Sequence, residues 1–277
     1  MLQNILVPVD FSEHSYNALE VAANLAKEHN AKLHIVHMMG LSDAVVTREE
    51  SKQVIEAMFH MKLAEKRFNE LMSKEYLKGV NFEHFVKNYT NFIELDDVAS
   101  EVGAQLIVMG SHGSTGLQEL FVGSNTEKVV RTATVPVLVI KEKTENFSID
   151  KAVFATDFKA ENLTAFSKVK EVMSALGAQT DLLYVNLPGE RFRSSSEIIG
   201  KAREFVKASK DDVGMDNVTV YDDYSVESGI FNYSKENNVD LITVPTHGRR
   251  GLAHFFAGSI GEDIVNHSNL PVLSIKI

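Results

Sequence analysis

At 277 residues the chain has room for one large domain or two ordinary ones, each able to bury a full hydrophobic core. It contains no cysteine, which excludes a disulfide framework, thiolate metal sites and a cysteine nucleophile, and fits a reducing compartment. Its 28 basic and 38 acidic side chains leave a formal net charge of −10, against the clustered Lys and Arg that hold nucleic acid or an anionic membrane. Neither class of partner is expected. No apolar run reaches 18 residues, and the stretch MLQNILVPVDFSEHS lacks the basic and apolar segments of a signal peptide, so a cytoplasmic location is the expectation.

In chain order, ILVPVD (5–10) reads as a buried strand, and Ala18, Val21, Ala22 and Leu25 make the apolar face of the helix after it. KLHIVHM (32–38) is a second strand. A long helix over about 47–76 presents Val54, Met58, Met61 and Phe68 at helical spacing. After Gly79 come a strand at NFEHFVKN, a helix over about 91–102 and the strand QLIVMG. A glycine-rich loop, a helix from Ser124 to about Thr132 and the strand VPVLVIK follow.

The order then repeats. Residues 4–38 align without a gap on 151–185, at an offset of 147 that puts Asp10 on Asp157, while Gly113, Gly123 and Pro136 fall on Gly248, Gly258 and Pro271 at an offset of 135. The second copy reads as the strands AVFATD, TDLLYVN, VTVYDDY, DLITVP and PVLSIKI, with a shorter middle helix near 195–210. Strands alternating with helical segments signify βαβ units on a parallel sheet. The expected domains are 1–142 and 150–277, joined by a polar linker at about 143–149.

GSHGSTGLQELFVGS places Gly110, Gly113, Gly123 and Ser124 in a Gly-x2-Gly-x9-Gly-Ser pattern between a strand end and a helix start. Ligands of open α/β sheets sit outside the carboxyl ends of the strands. Glycines there let backbone amides approach a phosphate and adopt positive φ, and the helix start offers unsatisfied amides and a positive dipole end. Ser124 and Thr126 are expected to add hydroxyl donors. The loop is neither a Walker A loop nor a Gly-x-Gly-x-x-Gly turn.

On ILVPVDFS, LHIVHM, VMGSHGSTGL and VGSNTEKVVRTATVPVLVI, and on VFATDF, LLYV, VPTHGRRGLAHFFAGSI and LPVLSIKI, the chain resembles a tandem universal stress protein, over essentially its whole length. The resemblance implies two doubly wound, Rossmann-like α/β domains of the adenine nucleotide alpha hydrolase-like kind. Each would be a five-stranded parallel sheet with helices on both faces, and the two would pair through their last strands. It further implies ATP, with or without magnesium, held in the first domain without efficient turnover. Pro8, Val9 and Asp10 would frame adenine and ribose, and Met38 would touch the adenine. Met109, Gly110, His112, Gly113, Gly123, Ser124, Asn125 and Thr126 would surround ribose and phosphates.

Other roles stay open for some of these residues: Asp10 caps the first helix, Met38 is core, and His112 is a loop histidine and not a catalyst, since no nucleophile or orienting carboxylate adjoins it. The second copy departs from the pattern. Pro245 stands at the first glycine, Ala155 at the proline before the aspartate, and Val185 at Met38. Proline lacks an amide hydrogen, so Asp157, Val185, Gly248, Gly258 and Ser259 are expected to form a weaker second site or none. Arg249 and Arg250 are either solvated loop charges or cations for the first loop. The expected function is an ATP-dependent stress or signalling module acting on an unidentified protein partner, with a homodimer also open. A nucleotide-free interaction module and a slow ATPase or adenylyl-transferring enzyme are the alternatives, the last disfavoured because neither an HIGH-type nor an SGG-x-D-S-type loop is present.

Overall fold

The computed structural model describes residues 2–40, 50–89, 92–111, 123–143, 147–210, 213–246 and 260–277. Copy 1 contains β1 (Asn4–Pro8), α1 (Glu13–His29), β2 (Lys32–Gly40), α2 (Glu50–Met72), β3 (Asn81–Tyr89), α3 (Leu95–Glu101), β4 (Leu106–Gly110), α4 (Ser124–Thr132) and β5 (Val137–Ile140). Copy 2 contains β6 (Lys151–Ala155), α5 (Asn162–Ala175), β7 (Gln179–Asn186), α6 (Ser195–Ser209), β8 (Val218–Asp222), α7 (Val226–Glu236), β9 (Leu241–Thr246), α8 (Ile260–His267) and β10 (Val272–Lys276).

Within each copy the strands pair in parallel, in the order β3-β2-β1-β4-β5 and its mirror β10-β9-β6-β7-β8. The two five-stranded sheets do not stay separate. Antiparallel pairing of β5 with β10, Val139 opposite Val272 and Val137 opposite Ser274, fuses them into one ten-stranded sheet. Each terminal strand thereby covers the open edge of the other.

Strands such as β4 and β5 are buried at every position because helices cover both faces. Residues of α1, α2, α5 and α6 share one apolar cluster, with Phe68, Phe166 and Phe205 among its largest side chains. Residues of α3, α4, α7 and α8 share the other, which holds Val98, Val129, Ile230 and Ile264. Both clusters run across the junction of the copies.

The duplication extends to helix ends. α1 stops at Asn30 in a left-handed conformation (φ 52°), and the equivalent Gly177 ends α5 at φ 68°. α6 opens on a Ser194–Glu197 capping box and, at 15 residues, is shorter than the 23-residue α2, as expected. The helical spacing read along α2 is observed, but its apolar residues differ in burial: Ala64, Phe68 and Leu71 are buried, while Met58 and Met61 are 53% and 46% exposed. Val54 lies where side chains are outside the described residues.

Candidate functional site

In copy 1 the strand order reverses between β1 and β4. Their pairing ends at Leu6 opposite Ile107, while the strands continue to Pro8 and Gly110. Beyond that pair the two carboxyl ends run on without ladder pairing to each other, at the topological switch point, the crevice position where open α/β sheets take ligands. Pro8, Val9 and Asp10 border it from β1, Met38 from β2, Met109 and Gly110 from β4, and Gly123 to Thr126 from the start of α4.

Pro8, Val9, Met38 and Met109 are buried and give these strand ends an apolar lining. Both backbone groups of Val9 are engaged: its amide donates to the Val36 carbonyl at 2.8 Å, and its carbonyl accepts from His37 Nδ1 at 2.7 Å. Burial holds the His37 pKa below its ordinary value, so the ring is neutral at pH 7 with its proton on Nδ1.

Asp10 does not cap α1. Ser12 does, accepting from the Ser15 amide, while Asp10 Oδ1 accepts from the Ser12 amide at 3.0 Å and from its hydroxyl at 2.6 Å. Asp10 thus orients the cap from the edge of the crevice. Between them Phe11 takes a left-handed φ of 64°, a conformation that costs a β-carbon residue about 1–2 kcal/mol. Its ring packs 4.7 Å from His37 and 5.2 Å from Phe68, under the Arg67 guanidinium at 5.5 Å.

Gly110 is glycine for a reason the loop pattern did not suggest. A β-carbon there would lie 2.7 Å from the His14 carbonyl oxygen, so the first turn of α1 excludes any side chain. Positive φ plays no part at Gly110 or at Gly123, which has φ −59°. The Gly123 amide donates to the Ser111 carbonyl at 2.8 Å. Thr126 is buried and donates its hydroxyl to the Gly110 carbonyl at 2.9 Å, so it ties the helix start to the strand end. Ser124 and Asn125 are exposed, and the N-cap of α4 is Gly123, which has no side chain to offer the first-turn amides that lack a partner within the helix. His112 and Gly113 lie outside the described residues.

Copy 2 keeps the outline and alters the contacts. Phe158 repeats the left-handed turn at φ 59°, with Tyr184 in the place of His37. Asp157 accepts from the Lys159 amide and from Asn162, and pairs with the Lys159 ammonium at 2.9 Å. The pairing of β6 with β9 runs one residue further, to Phe154 opposite Thr243, and the Thr243 hydroxyl donates to the Val153 carbonyl at 2.8 Å. Val185 is pressed by α7, where a β-carbon on Gly229 would lie 2.5 Å from a Val185 methyl. Pro245 sits within β9 beside an α5 that starts two positions later than α1 does, after a 147-residue shift. Gly258, Ser259, Gly248, Arg249 and Arg250 lie outside the described residues, and Gly261 stands at the Thr126 position with no hydroxyl.

The sequence pattern of the universal stress protein family matches residues 1–141 and again 148–276. The chain belongs to the universal stress protein family. Universal stress protein YxiE of Bacillus subtilis is 34% identical over 150 residues, covering 51% of this chain and 100% of its own length. Universal stress protein MJ0577 of Methanocaldococcus jannaschii is 32% identical over 159 residues, covering 52% of this chain and 97% of its own. A universal stress protein structure from Archaeoglobus fulgidus superposes with a TM-score of 0.72 at 21% identity, over 99% of this chain and 98% of that one, and shares the fold. Two matches in one chain make it a tandem member. No helix among the described residues is long and apolar enough to cross a membrane.

The missed contributors, Phe11, Ser12, His37 and Arg67, lie around the Asp10 corner. The Asp-Phe pair written in both copies was the available signal for the first. Arg67 reaches the corner from α2 and leaves no local pattern.

Proposed function

We propose that copy 1 holds an adenine nucleotide, ATP, in the crevice between β1 and β4 without efficient turnover, and that copy 2 serves pairing and regulation. The observation that carries this reading is the meeting of a helix start whose N-cap is a glycine with an apolar strand-end wall at the switch point. The first-turn amides of α4 suit phosphate oxygens, with the helix dipole adding to the attraction. Pro8, Val9, Met38 and Met109 suit a flat apolar base, and the Asp10 carboxylate suits a ribose hydroxyl.

The residues therefore fit the nucleotide, which would bring a transferable phosphoryl group. Copy 1's own side chains bind and orient it. Asp10 is engaged by Ser12 and His37 by the Val9 carbonyl, which supports holding over turnover. Among the described residues no cluster of three His, Cys, Asp or Glu side chains is placed for a metal, so magnesium would arrive with the nucleotide. We read the chain as an intracellular signalling module whose nucleotide state is sensed by a protein partner. Calorimetry with ATP, run beside a phosphate-release assay, tests this: binding near one per chain with negligible release is expected, and no binding, or steady release, overturns it.

A further inference from the structure

The helix that would hold the phosphates is tied down at its other end by the opposite copy. Lys276, at the end of β10, donates from Nζ to the Thr132 carbonyl in the last turn of α4 at 3.1 Å. Two buried hydroxyls of copy 2, Thr246 on β9 and Ser274 on β10, reach the Val130 carbonyl at 3.3 and 3.4 Å. The last carbonyls of a helix have no partner of their own, and a cation there complements the dipole. α4 is a nine-residue rigid rod whose first turn lies at the crevice.

The contact is written twice. Lys141, which stands 135 positions before Lys276, donates to the Val265 and Asn266 carbonyls in the last turn of α8. The residues at the two ends correspond in part: Ser111 stands where Thr246 does, while Val139 stands where Ser274 does and has no hydroxyl to offer.

We infer that copy 2 sets the nucleotide affinity of copy 1 through the last turn of α4, with Lys276, Ser274 and Thr246 as positioning residues. This rests on the proposed nucleotide site. Releasing these bonds lets α4 shift and removes the fixed placement of the amides at its start. Coupling then runs both ways: a nucleotide that steadies α4 also steadies the β5–β10 junction, and a partner that loosens the junction releases the nucleotide.

The test uses the full chain, with ATP affinity by calorimetry and hydrogen exchange of the α4 amides without nucleotide. Lys276→Met is expected to speed α4 exchange and weaken ATP about threefold to tenfold, with Lys276→Arg restoring both. The double variant Thr246→Val/Ser274→Ala is expected to act in the same direction, so the result does not hang on one substitution. Lys141→Met, which frees α8 instead, is expected to leave the ATP constant at its wild-type value. Wild-type constants in both Lys276→Met and the double variant overturn the inference alone, as does an equal loss in Lys141→Met. Absence of ATP binding by the wild-type chain overturns the proposed function and this inference together.

Discussion

The corner after β1 and the corner after β6 share a backbone and differ in what their side chains are committed to. Phe11 and Phe158 hold the same left-handed turn, each under an aromatic neighbour, although only the first faces an intact glycine pattern. Backbone strain at an active corner invites a functional explanation, but its presence in both copies assigns it to the fold. What separates the corners is the partners of the carboxylate and the length of the strand pairing beside it. Asp10 accepts from a hydroxyl of its own helix cap, while Asp157 is ion-paired to Lys159, and the β6–β9 pairing runs one residue further, to Phe154 opposite Thr243. On the proposed reading, the second site is weakened by these internal contacts as well as by the lost amide at Pro245.

The comparison breaks most readily at the first loop glycine. Gly110→Ala forces a β-carbon against the His14 carbonyl and should destabilise copy 1 by about 2–3 kcal/mol, read as a lowered urea midpoint with loss of ATP binding. Pro245→Gly should shift stability by only about 1 kcal/mol, since it adds no side chain and acts mainly by freeing the unfolded backbone. Thr126→Val comes next. It removes the donor from the buried Gly110 carbonyl and should cost about 1–2 kcal/mol in the same measurement, where copy 2, with Gly261, has no equivalent bond to lose.

The two sites should also differ in affinity. The second is expected to bind ATP at least about tenfold more weakly than the first, about 1.4 kcal/mol, so that titration calorimetry finds one tight site per chain. Two equal sites would show that Pro245 and the paired Asp157 are tolerated.

The smallest expected effect lies at the junction. Burial lowers the Lys141 pKa to about 8, so between there and the ordinary lysine value the unfolded chain carries the extra proton. Raising the pH therefore favours the folded state: below pH 8 the charge is buried at a cost, which is relieved as the pH climbs. From pH 7 to 9 the wild type should gain about 1 kcal/mol relative to Lys141→Met, measured by denaturant unfolding at each pH.

Much of the fold was legible because its signals are local. Strands buried on both faces show as unbroken apolar runs, and α4 falls on the Ser124–Thr132 span read from the glycine-serine start. The spacing of Met58, Met61 and Phe68 marked α2 as a helix but not which of them is buried, because a stripe records spacing and not what packs against it. At the site, the convergence of Asp10, Met38 and Gly110 was legible from strand ends. The Ser12 cap, the Thr126–Gly110 bond and the His37 contact were not, since each depends on where a side chain points.

The sequence by itself determined the duplication, at offsets of 147 and 135, the order of strands and helices, and the departure of the second loop at Pro245. Those features reside in residue identity and in periods of two and 3.6, which any stretch carries without its partners. Only the packed structure gives the crowding of Gly110 by His14, the antiparallel register that sets Val139 of β5 opposite Val272 of β10, and the capping of α4 by Lys276 and of α8 by Lys141. These contacts join residues up to 144 positions apart. Their geometry follows from burying two apolar faces at once, a condition on the packed chain and on no segment of it.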